Sequence, residues 1–86
     1  MYEVVLSAEA VKRYKKQGKN TKKKINRSID NLAKNPLYDS HVKKLWGSLE
    51  GNCRYKIGDI RIIYSINESS KKVLVKTIKS RGDVYK

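Results

Sequence analysis

Short β-branched runs and a longer helical rhythm divide the chain. Tyr2 to Leu6 (YEVVL) reads as a strand. Ser7 stands where an N-cap belongs, ahead of AEAVKRYKKQG, and Glu9 suits the positive end of the helix that follows. Within that helix Ala8, Val11 and Tyr14 recur at helical spacing, and Gly18 is placed to stop it. A second helix is expected from about Thr21 to Lys34, capped by Asn20 or Thr21. Its Ile25, Ile29, Leu32 and Ala33 follow the i, i+4, i+7, i+8 pattern of a single buried stripe. Asn35-Pro36 ends it, because proline disfavours the helical conformation in the residue before it. So short a connection makes the two helices a tight hairpin.

From Leu37 to Asn52 the pattern is irregular, with Leu45, Trp46 and Leu49 as anchors for the core. CRYKI, Gly58-Asp59 and IRIIYSI then read as two strands joined by a two-residue turn of type II′ or a related geometry. Asn67 to Lys72 turns the chain again, Val73 to Lys79 (VLVKTIK) is a last strand, and SRGDVYK forms a tail. The order is β-α-α-β-β-β, with no internal repeat, low-complexity segment or linker.

Length makes this one domain, residues 1–86. A chain of this size buries only about 60–65% of its unfolded surface, so its apolar residues must be used economically. No run reaches the length of a membrane span, and the start lacks a signal-peptide apolar stretch. The single cysteine, Cys53, can form no internal disulfide, and with the lone His41 it makes no metal cluster. The expectation is a cytoplasmic protein without metal or cofactor. Charge changes the picture most. Twenty-one Lys and Arg against eight Asp and Glu give +13, with a pI near 10.0. Self-repulsion of that size opposes folding and favours polyanions: nucleic acid, an anionic membrane or an acidic protein partner.

The Gly58-Asp59 turn fixes a register. Ile57 pairs with Ile60, Lys56 faces Arg61, and Arg54 faces Ile63. Alternation then gathers Cys53, Tyr55, Ile57, Ile60, Ile62 and Tyr64 on an apolar face that should meet the helices. Arg54, Lys56 and Arg61 share the other face. Like charges directly opposite each other destabilise a strand pair, so the clustering makes more sense if an anion sits between them. The final strand returns antiparallel, placing Arg61 opposite Ile78 or Lys79, and Arg81 and Tyr85 should emerge nearby. Arg54, Lys56, Arg61, Arg81 and Tyr85 could therefore converge on one surface.

At these residues the chain resembles the RelE toxins of prokaryotic toxin–antitoxin pairs. That family reads K-L-x-G, then G-D-x-R-[VI]-[IV]-Y, then a closing R-x-x-x-Y. Here those elements are Lys44-Leu45, Gly58-Asp59-Ile60-Arg61-Ile62-Ile63-Tyr64 and Arg81-Gly82-Asp83-Val84-Tyr85. The resemblance implies an α+β fold with the helical hairpin packed on a four-stranded antiparallel sheet, as in small microbial ribonucleases. It implies endonucleolytic cleavage of mRNA, usually in the ribosomal A site. It also implies an acidic, RelB-like antitoxin that wraps the toxin, which is itself monomeric and forms a hetero-oligomer with it. Arg61, Arg81 and Tyr85 match the family's catalytic positions. Arg54 and Lys56 stand on the strand where the family carries a basic pair, although the turn after them is shorter than in some members.

Metal-independent RNA cleavage needs a base for the ribose 2′-OH, charge stabilisation at phosphorus, and protonation of the leaving 5′-oxygen. His41 reads as a loop residue far from the converging set, and Glu50, in a Gly-flanked loop, as a surface residue with a role as base left open. Tyr85 is the candidate base: a free phenol has a pKa near 10, and neighbouring Lys56, Arg54 and Arg81 would favour its phenolate. Arg61 is cast as a bidentate phosphate clamp, and Arg81 as the group on the leaving side. Lys12, Arg13, Lys15, Lys16, Lys19, Lys22, Lys23, Lys24 and Arg27 crowd the helical hairpin. They are expected to contact ribosomal RNA phosphates without reading sequence, or to pair with the antitoxin. The rival readings are a ParE-like toxin that acts on gyrase by protein contact, and a non-catalytic RNA-binding module. Against the first stands the closing R-x-x-x-Y. Against the second, Tyr55 and Tyr64 alternate away from the open face, where a stacking platform needs aromatics. A membrane-surface role lacks an amphipathic helix with bulky anchors.

Overall fold

A computed structural model describes residues 1–36, the backbone of 42–44, and residues 52–80. Leu45, Trp46 and Leu49, expected as core anchors, lie outside the described residues, as do His41 and Glu50. The elements are β1 (Glu3–Leu6), α1 (Ala8–Lys15), α2 (Lys19–Lys34), β2 (Val42–Lys44), β3 (Cys53–Ile57), β4 (Ile60–Asn67) and β5 (Lys72–Lys79).

Ser7 caps α1 as its sequence position suggests. Its hydroxyl accepts the Ala10 N–H at 3.1 Å and donates to the Lys76 carbonyl at 2.7 Å, so one side chain both starts the helix and ties it to β5. Because the Ser7 N–H also bonds the Val75 carbonyl at 2.9 Å, the helix leaves the sheet in a fixed rotation. That rotation turns Ala10 inward, with Tyr14 and Gln17 half-buried behind it. Ala8 and Val11, which recur at helical spacing with Tyr14, are exposed. Ala10 carries no bulk beyond its Cβ, so the helix can sit close on the sheet.

The helix ends at Lys15, and Gly18 serves as the N-cap of α2 rather than the stop of α1. Its extended backbone lets its carbonyl accept the Lys22 N–H at 2.9 Å, so α2 starts at Lys19 and Asn20 and Thr21 fall inside its first turn. Ile25, Ser28 and Leu32 are its buried stripe, with Ile29 packed alongside. The Ser28 hydroxyl donates to the Lys24 carbonyl at 2.9 Å, which satisfies a buried polar group within the helix.

Five strands form one sheet in the order β1-β5-β4-β3-β2. The expected antiparallel pairing holds for β2–β3, β3–β4 and β4–β5. Two features depart from a four-stranded antiparallel sheet. β1 lies parallel to β5, with Glu3 opposite Lys72 and Leu6 opposite Val75, because the helical hairpin carries the chain over one face before β5 returns beside it. Val42–Lys44, read as irregular, adds a short edge strand against β3.

Gly58 sits at φ 56° at the first turn position while Asp59 stays at negative φ, as a type II′ turn requires. The resulting register is the expected one: Ile57 opposite Ile60, Lys56 opposite Arg61, Arg54 opposite Ile63. In the β4–β5 pair a bulge lies at Ile63/Tyr64, where Ile63 faces Thr77 but Tyr64 faces Val75. Lys76 is the extra residue. Without it, alternation would turn Thr77 inward with Val73 and Val75; with it, Ile78 is buried and Thr77 and Lys79 point the other way.

The core joins Ala10, Ile25 and Leu32 of the helices to Cys53, Tyr55, Ile60, Ile62, Tyr64, Val73, Val75 and Ile78 of the sheet. Two buried hydroxyls pin the layers together. Tyr64 donates to the Pro36 carbonyl at 2.6 Å, and Tyr55 accepts from Asn31 Nδ2 at 3.0 Å. Replacing Tyr64 by Phe should lower unfolding stability by about 1–3 kcal/mol, since the Pro36 carbonyl loses its donor in a buried site. Urea denaturation checks this, and an unchanged midpoint contradicts it. Ser7→Ala should cost about 1–2 kcal/mol in the same assay through loss of the cap.

Candidate functional site

One face of the sheet is covered by α1 and α2, and the other presents the outward residues of every strand. At the end of that open face nearest the Gly58-Asp59 turn, Lys56 of β3 pairs with Arg61 of β4, and Arg61 pairs with Lys79 of β5. Three cations therefore stand abreast on three consecutive strands. All three are exposed, and none forms an ion pair among the described residues. An ion pair between Lys71 Nζ and Glu68 Oε2, at 3.6 Å, belongs to the β4–β5 turn at the far end of the sheet. There Tyr2 also donates to Glu68, at 3.0 Å to Oε2.

Arg54 stands one row inward, opposite Ile63, which is in turn opposite Thr77. Arg54 is half-buried, and neither its Nε nor the Thr77 hydroxyl has a hydrogen-bond partner among the described residues, although both atoms are buried. The sheet thus brings together three of the five converging residues expected from sequence, Arg54, Lys56 and Arg61. Arg81 and Tyr85 lie outside the described residues. Lys79 and Thr77, which pair with Arg61 and Ile63 on this face, were not among the residues expected from sequence. The pairing of Arg61 with Ile78 or Lys79 was within reach of the sequence, but which one faces outward depends on the bulge at Lys76, which no local signal announces.

The helix cations form a separate surface. Lys12, Lys15, Lys16, Lys19, Lys23, Lys24 and Arg27 are exposed, while Arg13 and Lys22 are half-buried. Lys22 Nζ lies 5.6 Å from the centre of the Tyr14 ring, whose hydroxyl donates to Asn26 Oδ1 at 3.0 Å. These residues ride on the layer that covers the other face, so the sheet separates them from the Lys56–Arg61–Lys79 row. Among the described residues, no helix is long and apolar enough to cross a membrane.

The arrangement can do one thing well. A row of exposed cations that form no ion pair among the described residues can bind an extended anion and stabilise charge that builds up on it.

Comparison with known proteins agrees with this fold. The model of the ParE toxin of type II toxin–antitoxin systems (parDE) matches residues 4–85. The chain therefore belongs to that toxin family, within the RelE/ParE superfamily. A chain of the archaeal RelE–RelB complex from Pyrococcus horikoshii OT3 is similar at 29% identity and a TM-score of 0.80, over 94% of this chain and 96% of that one. A chain of the RelBE2 toxin–antitoxin complex from Mycobacterium tuberculosis shares the fold at 21% identity and a TM-score of 0.85, over 93% and 98%. The YoeB/ParE toxin from Agrobacterium tumefaciens does so at 18% identity and 0.80, over 92% and 98%. No curated protein matches the sequence significantly.

Removing one member of the cation row should relieve repulsion. Lys79→Gln is expected to raise stability by about 0.2–1 kcal/mol at low ionic strength. The gain should shrink at about 0.5 M salt, where exposed charges are screened. Urea titrations at the two ionic strengths test this, and destabilisation at low salt contradicts it.

Proposed function

We propose that this toxin is an mRNA endonuclease that cuts within the ribosomal A site and so halts translation, held in check by an acidic, RelB-like antitoxin. The observation that carries the reading is the Lys56–Arg61–Lys79 row, three cations abreast on an exposed sheet face that form no ion pair among the described residues. Folding gains nothing from such a row, and a phosphodiester explains it. The closing Arg81 and Tyr85 supply what the row lacks.

In this reading Arg61 grips the phosphate through its planar guanidinium, and Lys56 and Arg54 add positive charge around it. Tyr85 takes the proton of the ribose 2′-OH, and the 2′-oxygen attacks phosphorus. The bond to the 5′-oxygen breaks, and that oxygen leaves as a hydroxyl after receiving a proton. Arg81 stabilises charge on the leaving side. Lys79 is the better proton source, because an ammonium group gives up its proton far more readily than a guanidinium. The products are a 2′,3′-cyclic phosphate and a free 5′-hydroxyl. The basic helical hairpin on the opposite side contacts ribosomal RNA phosphates, giving affinity that falls steeply with salt. Likeness to chains from RelE–RelB and YoeB–YefM complexes supports a cognate antitoxin, and the charge of this chain offers an acidic one two basic surfaces to cover.

A second reading has one observation in its favour, the ParE name of the matching family. On that reading the toxin acts on gyrase through protein contact and cleaves nothing.

Primer extension on mRNA from a translating extract separates the two. The protein should produce new cuts at regular positions within codons, and both Arg61→Ala and Tyr85→Phe should abolish or slow them by at least about 100-fold. Tyr85→Phe should slow cleavage far more than it weakens binding, and equal losses in both would remove Tyr85 as the base. Absence of cuts together with inhibited supercoiling by gyrase would favour the second reading.

A further inference from the structure

Next to the cation row runs a second cross-strand row, Arg54 on β3, Ile63 on β4 and Thr77 on β5. All three are half-buried, in contrast to the exposed Lys56, Arg61 and Lys79. The Nε of Arg54 and the hydroxyl of Thr77 are both buried, and neither has a hydrogen-bond partner among the described residues. Buried polar atoms in folded proteins nearly always have partners, so two orphans flanking one isoleucine call for a ligand. The β5 bulge supports this, since it is the extra residue Lys76 that turns Thr77 to the open face at all. Bulges recur beside active sites, where they re-aim a side chain.

The chemistry of the two orphans narrows the ligand. Arg54 Nε–H can only donate, so it faces an acceptor oxygen. The Thr77 hydroxyl both donates and accepts, so it suits a group that does the same. Strand spacing sets the two backbones about 10 Å apart, wider than a single ion and suited to a nucleotide. Thr77 also lies about 6–7 Å along β5 from Lys79, one row in from the charges.

We propose that the Arg54–Ile63–Thr77 row is a ribonucleotide subsite beside the cleaved phosphate, in which the Thr77 hydroxyl bonds the ribose 2′-hydroxyl of the adjoining nucleotide. Arg54 Nε donates to an oxygen of the same nucleotide, and Ile63 lies beneath the sugar. The 2′-hydroxyl is the group by which a protein tells RNA from DNA, so Thr77 makes the site selective for ribose. This inference rests on the RNA-cleaving reading above.

The test uses ribosomes programmed with a short synthetic mRNA that carries one 2′-deoxy substitution, moved through the nucleotides flanking the cut. For the unaltered toxin, one position other than the attacking ribose should slow cleavage by roughly 3- to 10-fold. Thr77→Val, which keeps the side-chain shape, should slow cleavage of the all-ribose mRNA by a similar factor and be indifferent to that deoxy substitution. Thr77→Ser should restore the sensitivity. If the deoxy and Thr77→Val effects multiply at every position, the subsite is overturned while the nuclease reading stands. If the unaltered toxin cuts no position, the nuclease reading falls and the subsite with it.

Discussion

Burial of one sheet face decides what the other face can present. Ile60, Ile62 and Tyr64 of β4 must meet the helices, so Arg61, Ile63 and Ser65 must not. The side-chain period of a strand leaves no intermediate choice, and a slip of one residue would drive Arg61 into the core. Tyr64 and Tyr55 lock this register from beneath, because their hydroxyls reach specific partners on the C-terminal part of α2 and just past it. A slipped strand would lose both bonds as well as the apolar contacts. The placement of the cations is thus a consequence of packing on the far side of the sheet.

That placement carries a cost which no ion pair among the described residues offsets. Lys56, Arg61 and Lys79 repel one another, while Glu68, which pairs with Lys71, sits at the other end of the sheet. Local rules of sequence and structure are most often broken where function requires it. The bulge in β5 follows the same logic. It interrupts the ladder between the two longest strands, and in return it buries Ile78 and brings Thr77 and Lys79 to the open face.

The hairpin of β3 and β4 was legible because a Gly-Asp turn fixes register and strict alternation does the rest. The second helix was legible in its buried stripe, and less so at its start, where Gly18 caps it through backbone alone and leaves no side-chain signal. The rotation of α1 was hidden, since Ser7 is held by β5 residues nearly seventy positions away. The parallel β1–β5 pair and the β5 bulge are likewise products of long-range pairing. For that reason Arg54, Lys56 and Arg61 were readable as candidate site residues, whereas Lys79 and Thr77 emerged only from the assembled sheet. Arg81 and Tyr85 were read from motif spacing, and lie outside the described residues.

The central claim is that an RNA strand lies on the open sheet face and not on the helices alone. Backbone amide NMR of the Tyr85→Phe protein, titrated with a short single-stranded RNA at fixed salt, tests it directly. The account predicts the largest shift changes at Lys56, Arg61, Thr77 and Lys79, with smaller ones along α1 and α2. Changes confined to the helical hairpin, with the sheet residues unmoved, would contradict it.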